Sequence, residues 1–166
     1  MNPTAGTSPS NLELISFEIA DQEFCIDTRS VREIRGWTAP TRMPNAPPYV
    51  LGVINLRGVV MPVLDLRARL GLGETVPTSR HVYIVVQQED RVVGLMVDAV
   101  QETFTVNADL LQAPPAMDYG DNGPLVDAIL PIDGRMLARL VLSALLPEAG
   151  RDEEYLAVAQ EASLAA

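Results

Sequence analysis

An all-β barrel or sandwich built from two similar halves is the fold class this sequence predicts, on three observations. Apolar runs of strand length recur along the chain with turn signals between them. No long helical period alternates with those runs, which argues against a parallel α/β sheet. Hydrophobic residues form 48% of the 166-residue chain, enough for the core of one compact domain or two small ones.

Taken in order, residues 1–11 (MNPTAGTSPSN) read as a disordered tail rich in Pro, Ser, Thr and Gly. They lack the basic start and apolar middle of a secretory signal, so the expected location is cytoplasmic. Residues 12–20 place Ile15, Phe17 and Ile19 on one face, a strand pattern. Asp21 and Gln22 turn the chain into a second strand at 23–27, and Thr28 is read as the cap of a short helix reaching Ile34. Trp37, Pro40, Pro44, Pro47 and Pro48 then preclude a regular element between 36 and 48.

Residues 52–66, GVINLRGVVMPVLDL, are two apolar runs joined at Arg57-Gly58. Gly accepts the positive φ that a tight hairpin turn demands, and the turn presents Arg57 on the tip of a rigid ribbon. One helical turn at 67–70 and a polar connector at 71–80 follow. A hairpin pairs 81–87 with 91–97 around Glu89 and Asp90, and Asn107 caps a short helix to Gln112. After a loop at 113–124 rich in Pro, Gly and Asp, the last hairpin joins 127–132 to 135–142 through Asp133-Gly134. The stretch beyond Pro147 is acidic and weakly helical.

The halves echo one another. A shift of 76 lays Gly58, Val60, Leu64 and Leu66 on Gly134, Met136, Leu140 and Leu142. A shift of 69 lays residues 31–33 on 100–102. The echo also exposes a difference: Val59, Met61 and Val63 are apolar where the second half has Arg135 and Arg139. The 59–66 strand is therefore apolar on both faces, with Pro62 suited to an edge or a bulge. Its extra face must meet the other half or another protein.

Composition excludes several functions. All twelve basic residues are Arg, so a phosphate-binding loop lysine, a Schiff-base lysine and a kinase lysine are absent. One His and one Cys cannot build a structural zinc site or a disulfide framework, and no cofactor motif is present. Net charge of −10 opposes binding to nucleic acid, and no apolar run of about 20 residues predicts membrane insertion. The charge is uneven. Residues 29–69 hold seven Arg against Glu33 and Asp65, a net of +5, so the remainder carries −15. Such a basic face can steer an acidic protein partner, or its arginines are scattered solvent contacts.

Other candidates have ordinary readings. Cys25 lies in an apolar strand and reads as a buried hydrophobe, not a nucleophile activated by His81. Asp65 and Asp98 end strands and read as caps or solvated residues. Asp118 to Gly123 fails as a calcium loop, since Gly120 and Ile129 fall where oxygen ligands are needed. Arg57 either pairs with Glu33 to preorganise a docking groove or is a solvated turn residue.

At this point the chain resembles the CheW family of bacterial chemotaxis coupling proteins. The resemblance rests on VREI at 31–34, the proline loop, GVINLRGVVMPVLDL, GLMVD at 94–98 and the closing hairpin ending in Leu145-Leu146. It spans 12–147 and implies two five-stranded SH3-like barrels related by a pseudo-twofold axis. The first is expected at about 12–75 and the second at about 80–142, followed by a short helix from about 143 and an acidic tail at 148–166. It also implies a non-enzymatic adaptor without cofactors, binding the cytoplasmic tip of chemoreceptors and the regulatory domain of a CheA-type histidine kinase at membrane-associated arrays. Val31, Glu33, Arg57 and Gly58 match the family's groove positions, with Gly94 and the segment 100–103 (Val100, Thr103) expected on the second barrel. Val59, Met61 and Val63 add a further candidate contact face, although Val31 reads first as core. Thr103 stands where an apolar residue is usual, and Arg139 interrupts a strand commonly apolar in relatives. Both bear on partner identity. The rival readings are a paralogue in a non-flagellar array for surface motility or biofilm control, and an SH3-like peptide-binding module. The latter is disfavoured by only eight dispersed aromatic residues.

Overall fold

The structure, a computed structural model, describes residues 11–115 and 124–146. Nearly all of the expected N-terminal tail, the segment 118–123 and the tail 148–166 lie outside the described residues. Ten strands run β1 (Asn11–Ile19), β2 (Gln22–Asp27), β3 (Val31–Gly36), β4 (Val50–Leu56), β5 (Val59–Asp65), β6 (Val82–Gln88), β7 (Arg91–Val97), β8 (Ala99–Asn107), β9 (Val126–Ile132) and β10 (Arg135–Leu140). Two short helices, α1 (Leu66–Arg69) and α2 (Leu142–Leu145), follow β5 and β10.

The strands form two five-stranded sheets, ordered β9-β10-β2-β1-β8 and β3-β6-β7-β5-β4. Each has the same plan: a hairpin, a parallel step, a second hairpin, then one antiparallel outer strand. The echo in the sequence is thus repeated in topology, with β5 matching β10 and β3 matching β8. The expected barrel boundaries need correction. One sheet is continuous over β3 to β7, whereas the other joins β1 and β2 to β8, β9 and β10. Each half of the chain lends its first hairpin to the other half's sheet. The cause is the parallel steps, β10 on β2 and β5 on β7, because parallel neighbours cannot be joined by a tight turn.

Three apolar layers hold this arrangement. Ile15, Phe17, Phe24 and Ile26 of one sheet meet Leu64, Ile84, Val86 and Leu95 of the other in a central layer, where the rings of Phe17 and Phe24 stack at 6.2 Å. Leu14, Cys25, Val106, Leu130 and Leu137 fill the far side of the first sheet. Ile54, Met61, Val63, Tyr83 and Met96 fill the far side of the second. Strand β6 shows why: Tyr83 and Val85 point outward to one layer, Ile84 and Val86 inward to another. The extra apolar face of β5 is therefore covered by Tyr83, Val85 and Met96, which the hairpin lent by the other half of the chain brings into the same sheet. Only Val59, 57% exposed, stays at the surface.

Several local expectations change. Residues 31–36 are strand, and the turn before them is a single 3-10 turn, Thr28–Ser30, capped by Asp27 instead of Thr28. The β-branched Val31 and Ile34 favour extended backbone, and pairing with β6 then decides the case. The expected helix at 107–112 is likewise one 3-10 turn, Ala108–Leu110, capped by Asn107 as anticipated. Pro62 sits in an interior strand, neither at an edge nor at a bulge. Its neighbour Val53 gives both backbone groups to Thr41 at 2.8 Å, so Val53 and Pro62 face each other without hydrogen bonds and the missing N–H breaks no bond to β4.

Arg69 closes the C-terminal end. It donates to the carbonyls of Leu145 (2.9 Å) and Ala144 (2.6 Å) while its guanidinium lies 4.9 Å over the Tyr49 ring. Arg69→Met is expected to cost about 2–3 kcal/mol in urea unfolding, since it strands two helix-end carbonyls and loses a cation–π contact. Lysine at 69 should recover only part of this, because it lacks the planar fork.

Candidate docking surface

The turn between β4 and β5 is built by its residue types. Arg57 (φ 53°) and Gly58 (φ 85°) are both left-handed, which makes the two-residue turn that matches strand twist. Asp133 and Gly134 repeat it at the other end of the repeat (φ 49° and 77°). Asn55 accepts the Gly58 N–H through its side-chain oxygen at 2.8 Å, locking the loop from within. The Arg57 side chain remains 67% exposed and pairs with Glu33 on β3, which Arg35 also approaches at 3.4 Å. β3 and β4 are the two outer strands of this sheet, so the sheet curls until opposite edges come within ion-pair reach. Thr41, in the loop after β3, also bridges to Val53 of β4.

The other sheet carries a matching pin. Arg135 of β10 donates to Glu102 of β8 at 2.8 Å and to Glu23 of β2 at 3.3 Å. Glu102 is the residue that the 69-position shift lays on Glu33, so the pin is repeated with its arginine moved off the turn. Arg139, which interrupts the same strand, is held by Asp127 at 2.8 Å. Asn55, Arg35 and Arg135 were not singled out as site residues from the sequence, and Glu102 only as part of the segment 100–103. An Asn three residues before the turn glycine, and the echo itself, were the available signals.

The candidate residues divide. Glu33, Arg57 and Gly58 come together beside exposed Val59, while Ile34, 45% exposed, takes the opposite face of β3. Val31 and Val100, equivalent by the repeat, are partly buried against the central layer, while Thr103 is exposed on the outer strand β8. Gly94, Met61 and Val63 require correction as contact residues, being buried within the β3–β7 sheet. Gly94 also belongs to the same sheet as Arg57 rather than the opposite one. Its role is close packing: a Cβ there would lie 2.8 Å from Val63 Cγ1.

The Arg57 hydrogen bond holds the Glu33 carboxyl below its ordinary value, against a smaller upward push from desolvation and with Arg35 assisting. A carboxylate depressed on folding stabilises the fold above its unfolded pKa, and that contribution fades as pH falls through the folded value. The pair is therefore expected to persist at neutral pH and to open only in acid below the usual Glu range. A carbon-13 titration of the Glu33 carboxyl checks this, and Arg57→Ala should return the midpoint upward.

The residues with reactive or titratable side chains are otherwise engaged. Cys25 is fully buried and desolvation pushes its thiol up to about 12, which keeps it protonated. His81 accepts the Thr78 N–H at Nδ1 (3.0 Å), leaving Nε2 to face Asp98 at 3.3 Å. Asp98 also accepts the Ala20 N–H at 2.8 Å. Asp65, only 4% exposed, caps α1 at Ala68 and accepts two bonds from Thr75 at 2.7 and 3.0 Å. Among the described residues no cluster of His, Cys, Asp and Glu is arranged to hold a metal, and no helix is long and apolar enough to cross a membrane.

Two five-stranded sheets and a pinned, exposed hairpin tip define an all-β protein whose most distinctive feature is a preformed surface. Residues 13–150 match the CheW-like domain, and the chain belongs to the CheW family. It is similar to the probable chemotaxis protein CheW of Rhizobium etli, 52% identical over 136 residues that cover 82% of this chain and 88% of that one. Similarity to the chemotaxis protein CheW of Rhizobium meliloti is 49% over 140 residues, covering 84% and 90%. The crystal structure of the scaffolding protein TtCheW from Thermoanaerobacter tengcongensis superposes with a TM-score of 0.76 at 28% identity, covering 85% of this chain and 96% of that chain. The chain is accordingly a chemotaxis scaffold of the CheW class.

Proposed function

We propose that this chain couples the cytoplasmic tip of chemoreceptors to the regulatory domain of a CheA-type histidine kinase, acting in the cytoplasm at receptor arrays. The carrying observation is the Glu33–Arg57 pin, which fixes an exposed arginine on a locked turn one residue from exposed Val59. A preformed contact loses little conformational entropy on docking, so a receptor can bias the kinase through a rigid intermediary. Val31, Val100 and Thr103 are read as the neighbouring contacts. Gly94, Met61 and Val63 support that surface from beneath. No step of this role needs a reacting side chain.

The test is co-assembly with a kinase and a receptor fragment, reading the rate of kinase phosphorylation. Coupling predicts receptor-dependent control only when the chain is present. Unchanged phosphorylation with and without it would overturn the reading. Pull-down against the several receptors and kinases of one cell separates a flagellar array from one for surface motility or biofilm control.

A further inference from the structure

We propose that His81 is a proton-sensitive latch, which holds the connector 71–80 onto the fold when neutral and releases Thr78 when protonated, keeping only its grip on Asp98. Residues 73–80 join no strand or helix. Two side chains of the main fold pin them. Asp65 accepts the Thr75 amide and hydroxyl at 3.0 and 2.7 Å, and His81 Nδ1 accepts the Thr78 N–H at 3.0 Å. Between the pins Val76 is 83% exposed, and before them Gly71 and Gly73 are left-handed (φ 77° and 109°). The connector is thus a strap with a permissive start at its glycines and a latch at its far end.

The two ring nitrogens of His81 face different parts of the molecule. The side chain is 13% exposed, so the ring is held between both contacts. With Nδ1 accepting, the neutral ring carries its proton on Nε2, which faces Asp98 Oδ1 at 3.3 Å. Asp98 ties the two sheets together: it follows β7, accepts the Ala20 N–H of the β1–β2 turn at 2.8 Å and donates its own N–H to the Glu18 carbonyl at 3.0 Å. A second proton, on Nδ1, would set two donors against each other across 3.0 Å and end the Thr78 bond. The new N–H has an acceptor in Thr78 Oγ1 at 3.3 Å, and the freed Thr78 amide lies at the surface, where water replaces the ring. The imidazolium meanwhile gains a charge-assisted bond to the Asp98 carboxylate. The connector itself brings Glu74 and Arg80, and the β1–β2 hairpin brings Glu18 and Asp21. Arg35 of β3 is turned to Glu33, and Trp37 after it donates its N–H to the His81 carbonyl without adding charge.

Nuclear magnetic resonance on the full chain between about pH 8 and about pH 5 tests the latch. The imidazole nitrogen shifts should place the proton on Nε2 at the upper end and on both nitrogens at the lower end. The Thr78 amide shift should follow the same curve. Its protection, corrected for the intrinsic pH dependence of exchange, should fall about threefold or more, while that of the Thr75 amide changes by less than about 1.5-fold. His81→Asn places an amide oxygen near the position of Nδ1 and cannot titrate, so Thr78 should stay protected throughout. His81→Gln reaches Asp98 and leaves Thr78 without its acceptor, so protection should be low throughout. A Thr78 amide that ignores the imidazole titration would overturn the proposal. So would a neutral ring protonated at Nδ1, or one that stays neutral to about pH 5. Protection of Thr78 that still depends on pH in both variants would overturn it too, because another group would then be the sensor.

Discussion

Arg57→Glu should abolish receptor-dependent control of the kinase while leaving the far-UV circular dichroism unchanged. The substitution sets a second carboxylate against Glu33, so the hairpin tip loses its anchor to β3 and the exposed charge reverses sign. The fold has no stake in this pair comparable to its stake in the core, since the Arg57 side chain is 67% exposed and the pair lies in solvent. The left-handed turn survives through Gly58 and the Asn55 bond. Exchanging the pair, with Glu33→Arg added to Arg57→Glu, separates two contributions. Recovery of control would mean that the pin's geometry matters. Continued loss would mean that the partner reads the guanidinium itself. Full control retained by Arg57→Glu alone would remove the hairpin tip from the docking surface.

The largest loss of stability is expected at Gly52. Its φ of +143° is one that L side chains rarely adopt, and a Cβ would collide with the Thr41 carbonyl oxygen while lying 2.6 Å from the Thr41 carbonyl carbon. Both obstacles are backbone, so no side-chain rotation relieves them. Gly52→Ala should therefore cost roughly 3–5 kcal/mol in urea unfolding, from a strained φ plus overpacking. It would also break the bridge between Thr41 in the proline loop and Val53 of β4. Gly94→Ala provides the contrast, since the Cβ would meet the side chain of Val63 at 2.8 Å. Adding Val63→Ala should recover part of that loss, whereas no neighbouring truncation should rescue position 52. Gly36→Ala, with nothing within 4 Å, is the neutral control.

Much of the architecture was legible because strand and turn chemistry are local. The alternation of Ile15, Phe17 and Ile19, and the Arg57-Gly58 and Asp133-Gly134 turns, announced hairpins that the structure contains. Cap positions were less secure, since Asp27 and Thr28 both suit a cap and only backbone geometry separates them. The site was partly legible. Arg57 and Glu33 could be paired by resemblance, yet Gly94, Met61 and Val63 gave no sign of which face they occupy. An apolar residue on a strand apolar on both sides looks the same whether its neighbour is a partner or a second layer of core.

Residue order alone settled the all-β class, the twofold repetition, the hairpin tips and the absence of lysine chemistry, because each depends on near neighbours or on composition. Which hairpin joins which sheet was settled only in three dimensions. The parallel contacts of β2 with β10 and of β5 with β7 join residues far apart in sequence, and no turn signal marks them. That exchange buries β5 on both faces, leaves Arg57 exposed at the tip, and brings α2 to Arg69.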